Sequence, residues 1–323
     1  MRRRDFITLL AGAVVAWPLA TRAQEPGRTY RIGMLMPFPR EAPYTLRFLD
    51  ELRRHGFIEG QNLTIEYRDF GPRGDLVFEY AKDLVNRQVD VINCGGGVAV
   101  RAAQKATKTI PIVGAADDMV AEGLVASMAR PGQNTTGISI FATELNGKRQ
   151  DILIEALPGL RSMATLADSD TTTDVALRAL QETARAHGVE LSIHRVAKGE
   201  EIAAAVDVAH ASGATALNVL ASAMLYSNHQ IIMEKAAALR MPAIYQWPEM
   251  AEEGGFAAYG PRLAQLPDMT AREAVNLLHG AKPADLPIEQ PTKFELVINL
   301  KTAKALGVTV PPTLLARADE VIE

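Results

Sequence analysis

From Tyr30 onward, short apolar runs alternate with amphipathic stretches of helical period, and they do so in two successive series. Arg31-Ile32-Gly33-Met34-Leu35-Met36 reads as a strand, followed by a helical stretch carrying Leu46, Leu49 and Leu52 that ends at His55-Gly56. Leu63-Thr64-Ile65-Glu66-Tyr67 alternates as an edge-type strand, and residues 76–85 are helical. Residues 89–93 form a buried strand, 98–108 a helix after a glycine-rich turn, and 110–113 a further strand. A second series follows a helix around residues 145–157. Strands are expected at 163–167, 189–196, 214–220 and 242–245, with helices at 174–187, 202–212 and 228–239. Successive parallel strands need a crossover connection between them, so this order requires an α/β fold with parallel sheets and helices on both faces. No low-complexity linker separates the two series, which implies short ordered hinges between two lobes. The apolar run Phe294-Glu295-Leu296-Val297-Ile298-Asn299 belongs to neither lobe by periodicity and reads as a late crossing strand.

The N-terminus has a different character. Arg2-Arg3-Arg4 precede Asp5-Phe6-Ile7, residues 9–17 are apolar, and Pro18 and Thr21-Arg22-Ala23 follow. A basic start, a short apolar middle and a small-residue exit describe a secretory signal over residues 1–23, of the twin-arginine kind. A permanent membrane helix needs ~20 apolar residues, so an uncleaved anchor or a buried first helix fits the length and flanks less well. The protein is expected to act in the periplasm, soluble after signal cleavage. Without the signal's four Arg and one Asp, 30 basic and 37 acidic residues remain, a balance that argues against nucleic acid as a partner. The single cysteine, Cys94, permits no intrachain disulfide and reads as a small buried hydrophobe.

In open parallel sheets, ligands sit beyond the carboxyl ends of the strands. In the first series those positions hold Pro37 and Phe38, then Gly95, Gly96 and Gly97, then Ala115, Ala116, Asp117 and Asp118. In the second they hold Ser169 and Asp170 after Asp168, Ser222 and Ala223, and Gln246 and Trp247. The glycine turn has two readings, an anion-binding turn at a helix start or a tight strand-to-helix connection. Asp117 and Asp118 are adjacent and face opposite ways on an extended segment, so one is placed to meet a ligand ammonium while the other caps the following helix. One of Asp168 and Asp170 is expected to be an N-cap. Trp247 either stacks on a planar ligand or packs half-buried. The glycine turn lacks the third glycine of a dinucleotide fingerprint, and no phosphate-binding Gly-Lys-Ser/Thr loop exists. None of the six histidines forms an i, i+4 metal pair, and no Gly-x-Ser-x-Gly elbow occurs. No cofactor, no metal and no catalytic group is expected.

Several longer motifs carry a resemblance. They include Ala129-Arg130-Pro131-Gly132-Gln133-Asn134-Thr135-Thr136-Gly137, Gly147-Lys148-Arg149 and Gly254-Gly255 with Tyr259-Gly260. The tail adds Gly280-Ala281-Lys282-Pro283, Glu289-Gln290-Pro291-Thr292-Lys293-Phe294-Glu295 and Arg317-Ala318-Asp319-Glu320. Together the chain resembles the periplasmic substrate-binding proteins of ABC transporters with the type I fold, in the branch that includes tryptophan-binding members. The resemblance implies two Rossmann-like lobes joined by a three-crossing hinge, with residues 28–141 and 262–292 in lobe 1 and 142–261 and 293–323 in lobe 2. It implies a monomer that holds a small-molecule ligand, an amino acid or an aromatic or organic acid, in the inter-lobe cleft and delivers it to an ABC permease in the inner membrane. It places Gly96 and Gly97 in a carboxylate-binding turn and offers Asp117 or Asp118 to an ammonium. One departure lies beside the cleft, where the family's common Asp-Pro-Val reads Asp118-Met119-Val120. An exported α/β enzyme and a ligand-sensing domain for a membrane receptor are the alternatives.

Overall fold

The computed structural model describes residues 27–323 apart from Pro72 and Phe141, so the export signal lies outside the described residues. The first lobe is built on β1 (Tyr30–Met36), β2 (Leu63–Asp69), β3 (Val91–Gly95), β4 (Ile112–Ala116) and β5 (Thr135–Ser139). These five strands pair in the order β2-β1-β3-β4-β5, all parallel. The helices α1 (Pro43–Arg54), α2 (Val77–Asn86) and α3 (Gly97–Ala106) make the crossovers. Every residue of β1 except Arg31 is buried, as an inner strand covered on both faces must be, whereas the edge strand β2 is only half covered. In α1 the buried residues Tyr44, Phe48 and Leu52 recur at i, i+4 and i+8 and turn one stripe to the sheet.

The second lobe opens with α4 (Ala142–Ala156) and continues through β6 (Ser162–Asp168), α5 (Asp174–Ala186), β7 (Glu190–Val196) and α6 (Ile202–Ala211). β8 (Leu217–Val219), α7 (Ala223–Ser227), α8 (His229–Ala238), β9 (Ala243–Tyr245), α9 (Pro248–Glu252) and β10 (Ala257–Gly260) follow. Then α10 (Gln265–Leu278) returns to lobe 1, where Arg47 of α1 pairs with its Asp268 at 2.7 Å. The chain finally rejoins lobe 2 as β11 (Glu295–Asn299), α11 (Leu300–Leu306), α12 (Pro312–Leu315) and β12 (Glu320–Ile322). The seven strands lie in the order β12-β11-β10-β9-β8-β6-β7.

Two features go beyond what the sequence pattern showed. This sheet is not wholly parallel, because β11 pairs antiparallel with β10 and carries β12 with it. A strand that enters from the far lobe after a crossing need not obey the βαβ rule that fixes the direction of its neighbours. The strand β5 has no counterpart in the apolar pattern. Its residues Thr135-Thr136-Gly137-Ile138-Ser139 are all buried, yet only Ile138 is a large apolar residue.

The chain passes between the sheets three times, after Ser139, after Gly260 and before Glu295. The first and third passages start side by side. Glu289 donates its amide to the Gly137 carbonyl (2.9 Å) and accepts from the Ser139 amide (3.0 Å). Cys94 is fully buried under the first sheet, as a small hydrophobe would be. One apolar cluster runs without a break from β1 and α1 in lobe 1 to Trp247, Met250 and Tyr245 in lobe 2. The lobes are therefore closed on each other.

Candidate functional site

The carboxyl ends of β1, β3, β4, β8 and β9 converge where the lobes meet. Between them lies a cavity with about 530 Å³ of atom-free space, open solvent at its mouth included. Ten of the residues expected from strand ends line it: Pro37, Phe38, Gly95, Gly96, Ala115, Ala116 and Asp117 from lobe 1, and Ala223, Gln246 and Trp247 from lobe 2. Tyr44, Ile140, Tyr226, Leu263 and Leu266 complete the wall. Strand-end reasoning missed these five. Tyr44, Tyr226 and Leu266 sit on helices and Leu263 just before one, while Ile140 directly follows the strand that the pattern did not show.

The other expected residues sit elsewhere. Ser222 caps α7, its Oγ accepting from the amides of Met224 (3.0 Å) and Leu225 (3.2 Å) while donating to Asp168 (2.6 Å). Ser169 and Asp170 form the turn after β6, where Asp170 donates its amide to Asp168 Oδ1 at 2.9 Å. Neither Asp168 nor Asp170 caps α5. That place belongs to Thr173, which accepts from the Ala176 amide. Asp118 caps a turn rather than a helix, accepting from the amides of Val120 (3.2 Å) and Ala121 (2.9 Å).

Gly96 packs against Ala223 of the other lobe. Its φ is +90°, and a Cβ there would lie 2.7 Å from the Cβ of Ala223 across the cleft. Any other residue would meet both backbone strain and a clash, so glycine here is a condition of closure. Beside it, Ser227 Oγ of α7 donates to the Pro37 carbonyl at 3.1 Å, a direct hydrogen bond between lobes.

Four aromatic rings, Phe38, Tyr44, Tyr226 and Trp247, contribute to the cavity wall. Phe38 and Tyr44 face it from lobe 1 with ring centroids 5.3 Å apart. Tyr44 is fixed by its hydroxyl contact to Thr270 (2.9 Å), and burial pushes its pKa up to about 12. From lobe 2, Tyr226 stands edge-on to Trp247 at 6.3 Å and stacks on His229 at 5.2 Å. His229 is itself held, donating from Nδ1 to the Tyr226 carbonyl (2.6 Å), with Nε2 2.8 Å from Glu253. Rings locked in this way present flat apolar faces at little entropic cost on binding. Two polar atoms on this wall, Gln246 Oε1 and Trp247 Nε1, are buried without a hydrogen-bond partner.

One charge belongs to the cavity. Asp117 lies at its back and also lines a smaller adjoining annex with Asp118, Glu122, Asn146 and Thr171. Its pKa is raised well above the ordinary carboxylate value, first by burial and then by the nearby charges of Glu122 and Asp168. Arg149 of α4 opposes the rise, but its guanidinium is engaged elsewhere, donating to the Tyr259 carbonyl (2.9 Å) and to Asn146 Oδ1 (2.6 Å). Burial lowers the Arg149 pKa to about 9. Among the described residues, no hydrogen bond reaches the Asp117 carboxylate. Asp117 is half-buried, and a partly desolvated carboxylate without a partner is stabilised by a cation or a proton, so the closed cleft favours a positive group there.

The glycine turn carries a second surprise. A Cβ on Gly97 would lie 1.8 Å from Oε2 of Glu122, so the protein's own carboxylate packs against the first turn of α3. Arg101 of the same helix holds Glu122 through its carbonyl (2.9 Å) and its carboxylate (3.4 Å). Among the described residues, no group of three or more His, Cys, Asp or Glu is arranged to hold a metal ion, and no helix is long and apolar enough to cross a membrane.

The family model for ABC transporter substrate binding proteins matches residues 45–322, most of the chain. A tyrosine-binding protein of Clostridioides difficile is 25% identical over 264 residues, covering 80% of this chain and 75% of the relative. Among solved structures, a conserved domain protein from Vibrio cholerae superposes with a TM-score of 0.82 at 26% identity, covering 91% of this chain and 99% of that one. An ABC domain from Streptococcus pneumonia in complex with L-Trp gives 0.81 at 26% identity, covering 91% and 100%. Two lobes of mostly parallel sheet, three passages between them and a cavity at the strand ends are the type I periplasmic binding fold. The chain belongs to the ABC transporter substrate-binding protein family.

Proposed function

We propose that this protein is an extracytoplasmic receptor, working in the periplasm, for a small organic ligand that joins an ammonium group to a flat apolar body. Aromatic amino acids belong to that class. The observation that supports the reading is Asp117, a half-buried carboxylate without a hydrogen-bond partner among the described residues, lining a cavity walled in part by Phe38, Tyr226 and Trp247. A ligand ammonium would supply the missing counter-charge, and the rings would take its apolar part through stacking and cation–π attraction. The printed ligands of the relatives, tyrosine and L-Trp, support an aromatic body.

The mechanism follows from the hinge. Only the closed state touches the ligand from both lobes, so the ligand shifts the population toward closure by its differential affinity for that state. The closed pair of lobes then forms the surface that an ABC permease reads. If the open state dominates without ligand, apparent affinity falls by the closed-competent fraction. On this reading the ligand leaves unaltered.

Thermal denaturation with a panel of small solutes tests the reading. At 100 times its Kd, a ligand that binds only the native state adds about 2.7 kcal/mol, a rise of roughly 5–10 °C for a chain of this size. At least one ammonium-bearing aromatic compound is expected to produce it. Silence from all of these, beside a clear response to a neutral sugar or a purine, would end the ammonium reading.

A further inference from the structure

Tyr226 lines two spaces. One is the cavity at the strand ends. The other is an outer groove with about 1270 Å³ of atom-free space, open solvent included, bordered by α1 of lobe 1 and by Glu249 and Glu253 of lobe 2. Phe38, Tyr44 and Leu263 also line both, so these four residues stand between cavity and groove. Tyr226 is only half-buried, and its helix α7 has five residues, too few to be rigid by its own hydrogen bonds.

His229 supplies what α7 lacks. The two rings stack 8° from parallel with centroids 5.2 Å apart, and His229 Nδ1 lies 2.6 Å from the Tyr226 carbonyl. On the far side of the imidazole, Nε2 lies 2.8 Å from a carboxylate oxygen of Glu253. Both neighbours are acceptors. A neutral imidazole has one N–H and donates to only one of them, leaving a lone pair against the other. Both contacts are made together only when a second proton is present. A carboxylic acid gives up its proton at lower pH than an imidazolium does, and the Glu253 side chain is half-exposed, so that proton rests on the ring. Other charges come from three elements. Glu249 of α9 acts on Tyr226 together with Glu253. Lys235, further along α8, is taken by Asp207 of α6 at 2.7 Å. Arg47, Asp50 and Arg54 of α1 line the groove's other wall, paired with Asp268, Arg53 and Glu51.

We propose that His229 is a positioning residue of the ligand cavity: as an imidazolium held between Glu253 and the Tyr226 carbonyl it fixes the Tyr226 ring in the wall, and loss of its proton frees that ring. The proposal rests on the reading of the cavity as the ligand site, and not on the charge of the ligand. His229, Tyr226, Trp247 and Glu253 all belong to lobe 2, so the hold does not depend on closure. Its consequence for binding is preorganisation, because a ring already fixed need not be ordered when the ligand arrives. The wall is fixed at the acid end of pH 5 to 8, the range in which imidazoles change charge, and loosened at the other.

Trp247 is the only tryptophan outside the signal segment, and the Tyr226 ring stands edge-on to it at 6.3 Å. Its fluorescence therefore reports the hold with no ligand present. In the unliganded protein, acrylamide quenching of Trp247 is expected to rise about twofold from pH 5 to pH 8, with emission moving to longer wavelength. Two variants identify the cause. His229→Gln has no titrating ring and should show the higher quenching at both pH values. Glu253→Gln offers an oxygen to an imidazolium and an N–H to a neutral imidazole, so it should keep the lower quenching even at pH 8. Flat quenching in the wild type, or a pH step that survives in either variant, overturns the proposal. If His229→Gln does not fold, the wild-type profile and Glu253→Gln decide the matter. Because no ligand enters the measurement, its failure leaves the ammonium reading of Asp117 standing, and failure of the solute panel leaves this result standing.

Discussion

Two charge clusters in this molecule invite comparison. Arg262, on the second passage between the lobes, meets three carboxylates: it donates to Glu295 at 2.6 Å and to Glu320 at 2.8 Å, and it also pairs with Glu252. Those partners come from α9, β11 and β12, so one guanidinium ties the hinge to the end of the chain. Asp117, at the back of the cleft, lies among carboxylates and receives no hydrogen bond among the described residues. The first cluster is saturated within the chain and faces solvent; the second lines the cleft, half-buried and incomplete. A saturated cluster has nothing to offer a ligand, while an incomplete one is tolerable only where something arrives to complete it.

Neutralising Asp117 should have the largest effect. Asp117→Asn is expected to weaken binding of an ammonium-bearing ligand about 100-fold or more, since leaving one partner of a desolvated charge pair unmatched costs about 2–5 kcal/mol. The melting temperature of the unliganded protein should hold or rise. Asp117's folded pKa is raised, so whatever it contributes to stability is present below its unfolded value and lost as the pH climbs through the folded one. Asparagine removes that loss. The same shift gives binding a pH dependence. Below the raised pKa a cationic ligand must expel a proton from Asp117, so the wild-type Kd should worsen by about tenfold per pH unit on acidification. Glu122, Asp168, Asp118 and Arg149 surround Asp117 and modulate the midpoint. Calorimetry over a pH series checks this, and a slope that persists in Asp117→Asn would move the titration to another of these groups.

Arg262→Ala should show the opposite signature. Losing charge-assisted hydrogen bonds to three acids is expected to cost about 1–3 kcal/mol, a fall of several degrees in melting temperature at roughly 2–4 °C per kcal/mol. The Kd of a ligand should stay within about threefold of wild type. A large loss of affinity with little loss of stability would break the distinction between the clusters, because it would make the hinge staple part of the closure equilibrium.

How far these features can be read in the sequence depends on where their physics resides. Elements buried on both faces or on one stripe, such as β1, β3 and α1, announce themselves through composition and period. So do strand-end positions, which is why Asp117, Gln246 and Trp247 were identifiable before the lobes were seen together. β5 is silent because its burial comes from neighbours on either side rather than from its own threonines. The antiparallel β11 is silent because direction is set by the crossing, not by residue type. Tyr226 and Tyr44 are silent because a helix brings them to the cleft by its rotation, and a short apolar stretch does not disclose that angle. Glu122 is the most instructive miss. Its contact with Gly97, 25 positions back in the chain, is made only by the folded turn after β4.

The smallest expected effect concerns a third acid that shares features of both clusters. Glu273 of α10 is more deeply buried than Asp117 and lies beside the third passage, where the charge of Glu289 faces it and Arg272 only partly offsets the repulsion. Burial first, and Glu289 second, push its pKa up to about 7 from the ordinary 4.5. A raised carboxylate contributes stability that is intact below about pH 4.5 and lost as the pH rises through about 7. Glu273→Gln cannot lose a proton, so it should match wild type near pH 4.5 and exceed it in melting temperature at pH 8. Thermal scans at the two pH values measure the difference directly. If the variant is instead weaker at pH 8, the ionised Glu273 is held by Arg272 and Asn276, and the incomplete charge of this molecule is confined to the cleft. If it is stronger, the hinge carries a second unmatched acid, and lack of a partner marks a binding group only where a cavity adjoins it.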